Sequence, residues 1–384
     1  MLALFPECRF ERRHARRWSV SRRLRVPLLG LALFSALTLT GCTEEPAPST
    51  GPVTLEGDIF GTFYQITIAD PVTPGELEEI EQGVLDEMHS VDASMSTWRE
   101  DSELSAFNQA PLGEWQPLSD ELMEVLAISQ SVNELSQGAF DVTIGSLVNL
   151  WSFGPEARPQ EIPDETVLEQ RLAEVGMDAV ELDTDKLQAR RTRDVYVDLS
   201  GVAKGFATDE VAAYLDRQGI DNYLVNLGGE VKVKGRRDGE AGLWRIGVEV
   251  PRNDTPSAEH IVGLDDISVA TSGDYRHYFE QDGKRYSHTI DPRTGRPITH
   301  RLASVTVVHP SNAWADAWAT ALSVMGEDEG MQVANSEHLP VLMLVSQGQG
   351  WDSRVSPAFV ERFGEDVVDA LGLTVVSDAA GSLE

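Results

Sequence analysis

Apolar residues in this chain recur with two different periods, and the switching between them restricts the fold more than any other feature. Phe63-Tyr64-Gln65-Ile66-Thr67-Ile68 has the β-branched and aromatic content of a strand. From Pro74 onward, Leu77, Ile80, Val84, Leu85, Met88 and Val91 recur on one face of a helix. A second helix is predicted from a Ser119 cap through Leu122, Val125, Leu126, Val132 and Leu135, with Gly138 as its stop. Residues 195–199 read as a strand running into a helix over 200–219, and residues 223–227, 231–234 and 243–250 as strands between Gly-rich turns. A short helix over 314–325, capped by Ser311 or Asn312 and stopped by Gly326, precedes a buried strand at 341–345. Interleaved helices and hairpin-like strand pairs imply a mixed α+β fold with largely antiparallel strands, and no internal repeat is visible.

The first 41 residues stand outside that pattern. Eight arginines between Arg9 and Arg25 precede an uncharged stretch at 26–39, which is short of the roughly 20 apolar residues a spanning helix needs. The stretch ends in Leu39-Thr40-Gly41-Cys42, so residues 1–41 are expected to be a cleaved signal and Cys42 the lipidated first residue of the mature chain. An ordinary signal peptide with an incidental cysteine is the alternative. Ser21-Arg22-Arg23-Leu24-Arg25 has a twin-arginine look with arginine where an apolar residue is wanted, which leaves the export route open. Residues 42–52, rich in Pro, Ser, Thr and Glu, read as a flexible tether, 53–364 as one catalytic domain, and 365–384 as an acidic tail that frays.

Cys8 and Cys42 are the two cysteines, and Cys8 leaves with the signal. That excludes a disulfide, a thiolate nucleophile and a cysteine-based metal site in the mature protein. The net charge of −32 deepens to −38 when the signal's +6 is removed, because its eight arginines face only Glu7 and Glu11. Such a surface repels nucleic acid. The acids are spread along a chain with five lysines, which favours adaptation to a salty exterior over a partner-steering face.

Four constellations could carry chemistry. Asp198-Leu-Ser-Gly201-Val-Ala-Lys204-Gly205 sits where a helix starts, and free backbone N–H groups, the positive helix end and Lys204 would suit a phosphate there. A plain turn with a surface lysine would look the same. Asp316 and Thr320 lie one helical turn apart among Ala315, Ala317, Trp318, Ala319 and Ala321. A solvated face is the common reading of such a pair, but in an apolar helix a lone carboxylate is costly, and hard oxygen ligands suit Mg2+. Thr271-Ser272-Gly273-Asp274-Tyr275 is followed by His288-Thr-Ile-Asp291-Pro-Arg293-Thr-Gly295-Arg-Pro297, a tight turn holding His288, Asp291 and Arg293 close together. His288 is then a general base, a phosphate contact or a structural histidine. Gly138-Ala139-Phe140-Asp141-Val142-Thr143, with Trp98, could sandwich a planar ring or could simply be core.

Taken in order, these segments resemble the ApbE family, the FAD:protein FMN transferases. The resemblance runs from about Gly57 to Gly326 and includes Gly61-Thr62, Ser96-Thr97, Phe107-Asn108, Leu150-Trp-Ser-Phe153, Leu227-Gly-Gly229 and Ala315-Asp-Ala317 beside the blocks above. It implies an ApbE-like catalytic domain in which Phe60, Trp98, Ala139, Phe140, Asp141, Asp198, Lys204 and Val269 contact FAD. The family carries methionine where Phe60 stands. It further implies Mg2+ held by Gly201 through its carbonyl, Asp316 and Thr320, with a threonine or serine hydroxyl of an acceptor protein displacing AMP. His288 is the expected proton acceptor. Acceptors would be flavin-carrying subunits of membrane redox pumps of the Na+-translocating NADH:quinone reductase or Rnf type, met at the periplasmic face of the inner membrane. Two other readings use the same residues: hydrolysis of FAD to FMN and AMP, and flavin binding without catalysis.

Overall fold

Nine strands of one sheet follow one another across it in chain order, with helices inserted between them. They are β1 (Val53–Ile59), β2 (Thr62–Ile68), β3 (Tyr223–Leu227), β4 (Glu230–Lys234), β5 (Ile267–Gly273), β6 (Leu302–His309), β7 (Val341–Gln347), β8 (Gly350–Val355) and β9 (Thr374–Val375). Each pair is antiparallel except β8 with β9. The computed structural model describes residues 47–156, 158–237, 242–249, 258–273, 278–348 and 350–377. The signal, residues 42–46 of the tether, Val250, Asp274 with Tyr275, and residues 378–384 of the tail lie outside those residues. Among the described residues no helix is long and apolar enough to cross a membrane.

The alternation of side chains along central strands builds two cores at once. The sheet is accompanied by α1 (Pro74–Met95), α2 (Glu103–Gln109), α3 (Asp120–Leu135), α4 (Gly145–Leu150), α5 (Glu165–Leu172), α6 (Ala203–Arg217) and α7 (Asn312–Ser336). On β6 and β7, Val305, Val307, Val341, Met343 and Val345 join the main core, which also contains the buried faces of α1, α3, α6 and α7. Val308, Val231, Val233 and Val269 point to the opposite face, where a hairpin of Trp244–Glu249 and Ala258–Leu264 covers them with Trp244, Val262 and Leu264. Leu342 and Leu344 meet α8 (Pro357–Phe363) and α9 (Glu365–Leu371) through Phe359 and Val368.

Helices α1, α3 and α7 start where the sequence predicts. Thr73 and Glu76 form a reciprocal capping box on α1, and the Ser119 and Ser311 hydroxyls cap α3 and α7. Gly326 does interrupt α7, at φ 81°, but the helical path resumes beyond it to Ser336 because Met331 and Ala334 are buried in the main core.

Three expectations change. Residues 195–199 form no strand, apart from one parallel bridge between Ile144 and Tyr196. Their backbone is satisfied elsewhere: the Asn108 amide exchanges two hydrogen bonds with Val197, and Asp198 N–H donates to Val142. The helix after them begins at Ala203, three residues later than expected. Residues 365–377 do not fray; Val368 and Leu373 are buried beside Phe359, and β9 pairs with β8.

Candidate active site

Strand register brings two turns and the exit of β5 to one end of the sheet. Tyr64 pairs with Leu227, Leu227 with Glu230, Val231 with Val269, and Gly273 with Ser304. The β1–β2 turn at Phe60-Gly61, the β3–β4 turn at Gly228-Gly229 and the exit of β5 are therefore neighbours. Phe60 (φ 54°) and Gly61 (φ 71°) both adopt left-handed backbone, as a two-residue hairpin with right-twisted strands requires. Gly228 donates to the Phe63 carbonyl at 2.9 Å, which ties the two turns together.

The first turn of α6 lies at this end. Lys204 Nζ donates to Glu230 Oε1 on β4 at 2.6 Å, and Gly205 N–H donates to Asp316 Oδ2 on α7 at 3.0 Å. The Gly205 N–H is one of the groups expected to be free for a phosphate, and it is instead engaged by the carboxylate. A Cβ at Gly205 would stand 2.7 Å from Asp316 Cβ and closer still to the Asn312 carbonyl, so glycine is what lets the two helices approach. One turn along, a Cβ at Gly201 would lie 3.2 Å from both Thr320 Oγ1 and the Phe140 ring. Gly201 thus faces Thr320 as Gly205 faces Asp316.

The Gly201, Asp316 and Thr320 set expected from the resemblance is brought together. It offers a carbonyl, a carboxylate and a hydroxyl, the hard-oxygen chemistry that Mg2+ takes, without histidine or cysteine. Around it, Glu230 Oε2 and Asn312 Oδ1 are buried without a hydrogen-bond partner. The donor set and these unpartnered oxygens fit a divalent cation. Among the described residues no three His, Cys, Asp or Glu side chains converge as a metal centre, so any ion here would need main-chain and hydroxyl oxygen beside the Asp316 carboxylate.

Charge is unevenly matched at this point. Burial pushes Asp316 above the ordinary carboxylate value, opposed by Lys204 and by the Gly205 N–H. Burial and the nearby Asp316 push Glu230 up to about 7, against the pull of Lys204. For Lys204, burial disfavours the ammonium, yet Asp316 and Glu230 together outweigh it and keep the group firmly charged.

Phe140 and Ala139 are buried at the same place, Phe140 being anchored by hydrogen bonds to Ser136 and Asn133. Asp198 is buried and accepts from the Ser200 N–H and hydroxyl. At Asp141, Oδ1 accepts from Thr143 N–H and hydroxyl, and Oδ2 from Met177 N–H at 3.1 Å. With both oxygens occupied, its carboxylate organises a turn, although burial still raises its pKa against those bonds. Val269 lies on β5, its carbonyl 3.3 Å from the Asn312 amide nitrogen. Trp98 extends from the turn after α1 and is 68% exposed, an aromatic face left uncovered by the fold.

His288 follows the hairpin Tyr278–Gln281 and Lys284–Ser287 and meets the Phe153 ring edge-on at 6.3 Å. Asp291 and Arg293 are paired, and Arg293 also reaches Glu329 on α7 at 2.6 Å. These two side chains clamp the turn rather than offering charge to a cleft. The Trp151 indole N–H donates to the Gly295 carbonyl at 2.8 Å, joining two of the blocks quoted above across 144 residues.

Sequence reasoning missed Glu230 and Asn312 in the site, and Asp209, which anchors the helix that carries Asp316. Glu230 directly follows the Leu227-Gly-Gly229 block, and an acid entering a strand after paired glycines was the available signal. Asn312 was read only as a possible cap, yet its amide donates to the Val231 and Val269 carbonyls. Asp209, on α6, binds Lys232 and receives the Ser311 hydroxyl and the Ala313 N–H at the start of α7.

A family model described as the ApbE family matches residues 60–343. A protein of Vibrio cholerae serotype O1 named FAD:protein FMN transferase is 44% identical over 330 residues, 86% of this chain and 97% of that protein. A Haemophilus influenzae protein of the same name is 41% identical over 339 residues, 86% of this chain and 95% of that one. The solved structure of the flavin transferase ApbE from Vibrio cholerae aligns with a TM-score of 0.74 at 42% identity, covering 82% of this chain and 99% of its own.

Proposed function

The chain belongs to the ApbE family, and from that premise we propose that it is an FAD:protein FMN transferase acting on a threonine or serine hydroxyl of an acceptor flavoprotein. The hydroxyl oxygen bonds to the FMN-side phosphorus of FAD, the bond from that phosphorus to the bridging pyrophosphate oxygen breaks, and AMP leaves with that oxygen. The observation that carries this reading is the meeting of Lys204, Glu230 and Asp316 where α6 begins, beside Gly201 and Thr320. It is a concentrated polar site suited to a pyrophosphate and a divalent cation within a strongly acidic chain.

The Gly201 carbonyl, Asp316 and Thr320 would hold Mg2+, which when bound supplies Lewis-acid stabilisation of phosphate charge. Lys204 binds a phosphate oxygen with its ammonium. Phe60, Trp98, Ala139, Phe140, Asp198 and Val269 contact the flavin and adenine, and Asp141 does so through its backbone because its carboxylate is engaged. His288 accepts the hydroxyl proton, and the protein otherwise works by positioning and charge stabilisation.

The acceptors in this reading are subunits of membrane redox pumps of the Na+-translocating NADH:quinone reductase or Rnf type. Lipid on Cys42 would hold the enzyme at the periplasmic face of the inner membrane, where such subunits present their hydroxyls. The test is incubation with FAD, Mg2+ and an acceptor domain. A mass increase on the acceptor equal to FMN, absent without Mg2+, is the expected result; free FMN with an unlabelled acceptor would replace transfer by hydrolysis.

A further inference from the structure

Two buried carboxylates face one ammonium at the head of α6: Glu230 pairs with Lys204 at 2.6 Å, and Asp316 acts on it through its field without an ion pair. Glu230 is 3% exposed and Asp316 likewise 3% exposed, and both act on Lys204. Holding the lysine in place needs one of them. The second leaves an excess negative charge on carboxylates that water barely reaches, beside a Lys204 side chain that is 34% exposed, and Glu230 Oε2 has no hydrogen-bond partner to offset that cost. The excess attracts a divalent cation and opposes the pyrophosphate of FAD in the cation's absence.

We propose that Glu230 is a positioning residue that makes FAD binding conditional on the divalent cation: it fixes Lys204 and adds the negative charge that the cation must neutralise before the pyrophosphate can settle. This inference rests on the function proposed above and concerns the order and coupling of its two ligands. Glu230 begins β4 directly after the Gly228-Gly229 turn, so its backbone is held by the sheet and its side chain by Lys204. Coupling between two ligands is reciprocal, so a residue that strengthens cation binding while opposing FAD must enlarge the effect of each ligand on the other.

The experiment uses the full chain and two conservative variants, Glu230→Gln and Glu230→Asp, at pH 8.5. Mg2+ alone is titrated by calorimetry, and FAD by quenching of its fluorescence, with EDTA and again with saturating Mg2+. Glu230→Gln keeps an acceptor for Lys204 but removes the charge. It is expected to weaken Mg2+ binding by about tenfold, to tighten metal-free FAD binding, and so to shrink the coupling. Glu230→Asp keeps the charge and should retain most of the coupling. Equal losses in both variants would assign Glu230 a merely steric role and overturn the proposal. Unchanged affinities in Glu230→Gln would also overturn it while leaving the transferase reading intact. Failure of the unsubstituted protein to bind FAD or Mg2+ would overturn both.

Discussion

The Gly205 N–H donates to Asp316 Oδ2 at 3.0 Å across 111 residues of chain, so the first turn of one helix is docked on the carboxylate of another. Both halves of that contact can be tested. Gly205→Ala would drive a methyl into the Asn312 carbonyl and the Asp316 Cβ, atoms carried by a packed helix that cannot turn aside. We expect a loss of about 1–3 kcal/mol in urea unfolding, together with weaker Mg2+ binding. Retention of wild-type stability would mean that α6 and α7 are not held at this distance.

Asp316→Ala removes the carboxylate and leaves the Gly205 N–H buried without its acceptor. Stability should fall by about 1–3 kcal/mol, and transfer of FMN to an acceptor should be lost. Asp316→Asn separates the two effects, because an amide oxygen still accepts from Gly205. It should recover stability but not Mg2+-dependent labelling, measured as mass gain on the acceptor.

The sequence made local units legible and long-range pairings much less so. Caps at Ser119 and Ser311 were readable because they need only a hydroxyl and an N–H three residues on. The edge strand β1 was not recognised although VTLEGDI alternates, because only Leu55 of its inward row is fully buried and Gly57 breaks the apolar series. Residues 195–199 carry strand-like apolar content, yet their hydrogen bonds go to the Asn108 side chain, a partner no periodicity reveals. In the site, Asp316, Thr320, Gly201 and Lys204 stood out by motif, and the structure unites them. Glu230 did not, because its role depends on β4 lying beside α6, which is a property of the sheet order and not of its neighbours in the chain.

The buried acids predict a pH dependence of the metal-free protein. Glu230 is raised from the ordinary glutamate value to about 7 by burial and by Asp316. For an acid whose folded value is raised, the folded state binds its proton more tightly than the unfolded chain does. Its stabilising contribution is therefore complete below the unfolded value near 4.5 and is lost as pH rises to about 7. Relative to Glu230→Gln, wild type should lose stability over that window by on the order of 1–3 kcal/mol. Thermal melting in EDTA at several pH values measures it, and parallel profiles for the two proteins would contradict it.

Asp209 anchors the start of α7 without belonging to the site. Its Oδ2 receives the Ser311 hydroxyl at 2.7 Å and the Ala313 N–H at 3.0 Å, while Oδ1 pairs with Lys232 at 2.6 Å. Asp209→Ala should destabilise by about 1–2 kcal/mol through loss of this cap, read in urea unfolding. Metal-saturated FAD affinity should change less than threefold, an order-of-magnitude bound for a change with no contact to the ligand groups.

Trp151 connects the elements that carry His288. Its ring stacks on Tyr286 at 5.8 Å, Phe279 stacks on Tyr286 in turn, and its N–H holds the Gly295 carbonyl. His288 lies between Tyr286 and Gly295 in the chain and rests on Phe153, two residues after Trp151. Trp151→Phe would keep most of the apolar volume and remove the donor, costing about 1 kcal/mol in stability. FAD affinity depends on other elements, those around α6, and should hold. If His288 takes the acceptor's proton, the loosened turn should lower kcat for transfer while leaving KM for FAD unchanged, since base alignment matters only during reaction. A rise in KM with kcat preserved would instead place this turn in substrate binding, and His288 would lose its assigned role.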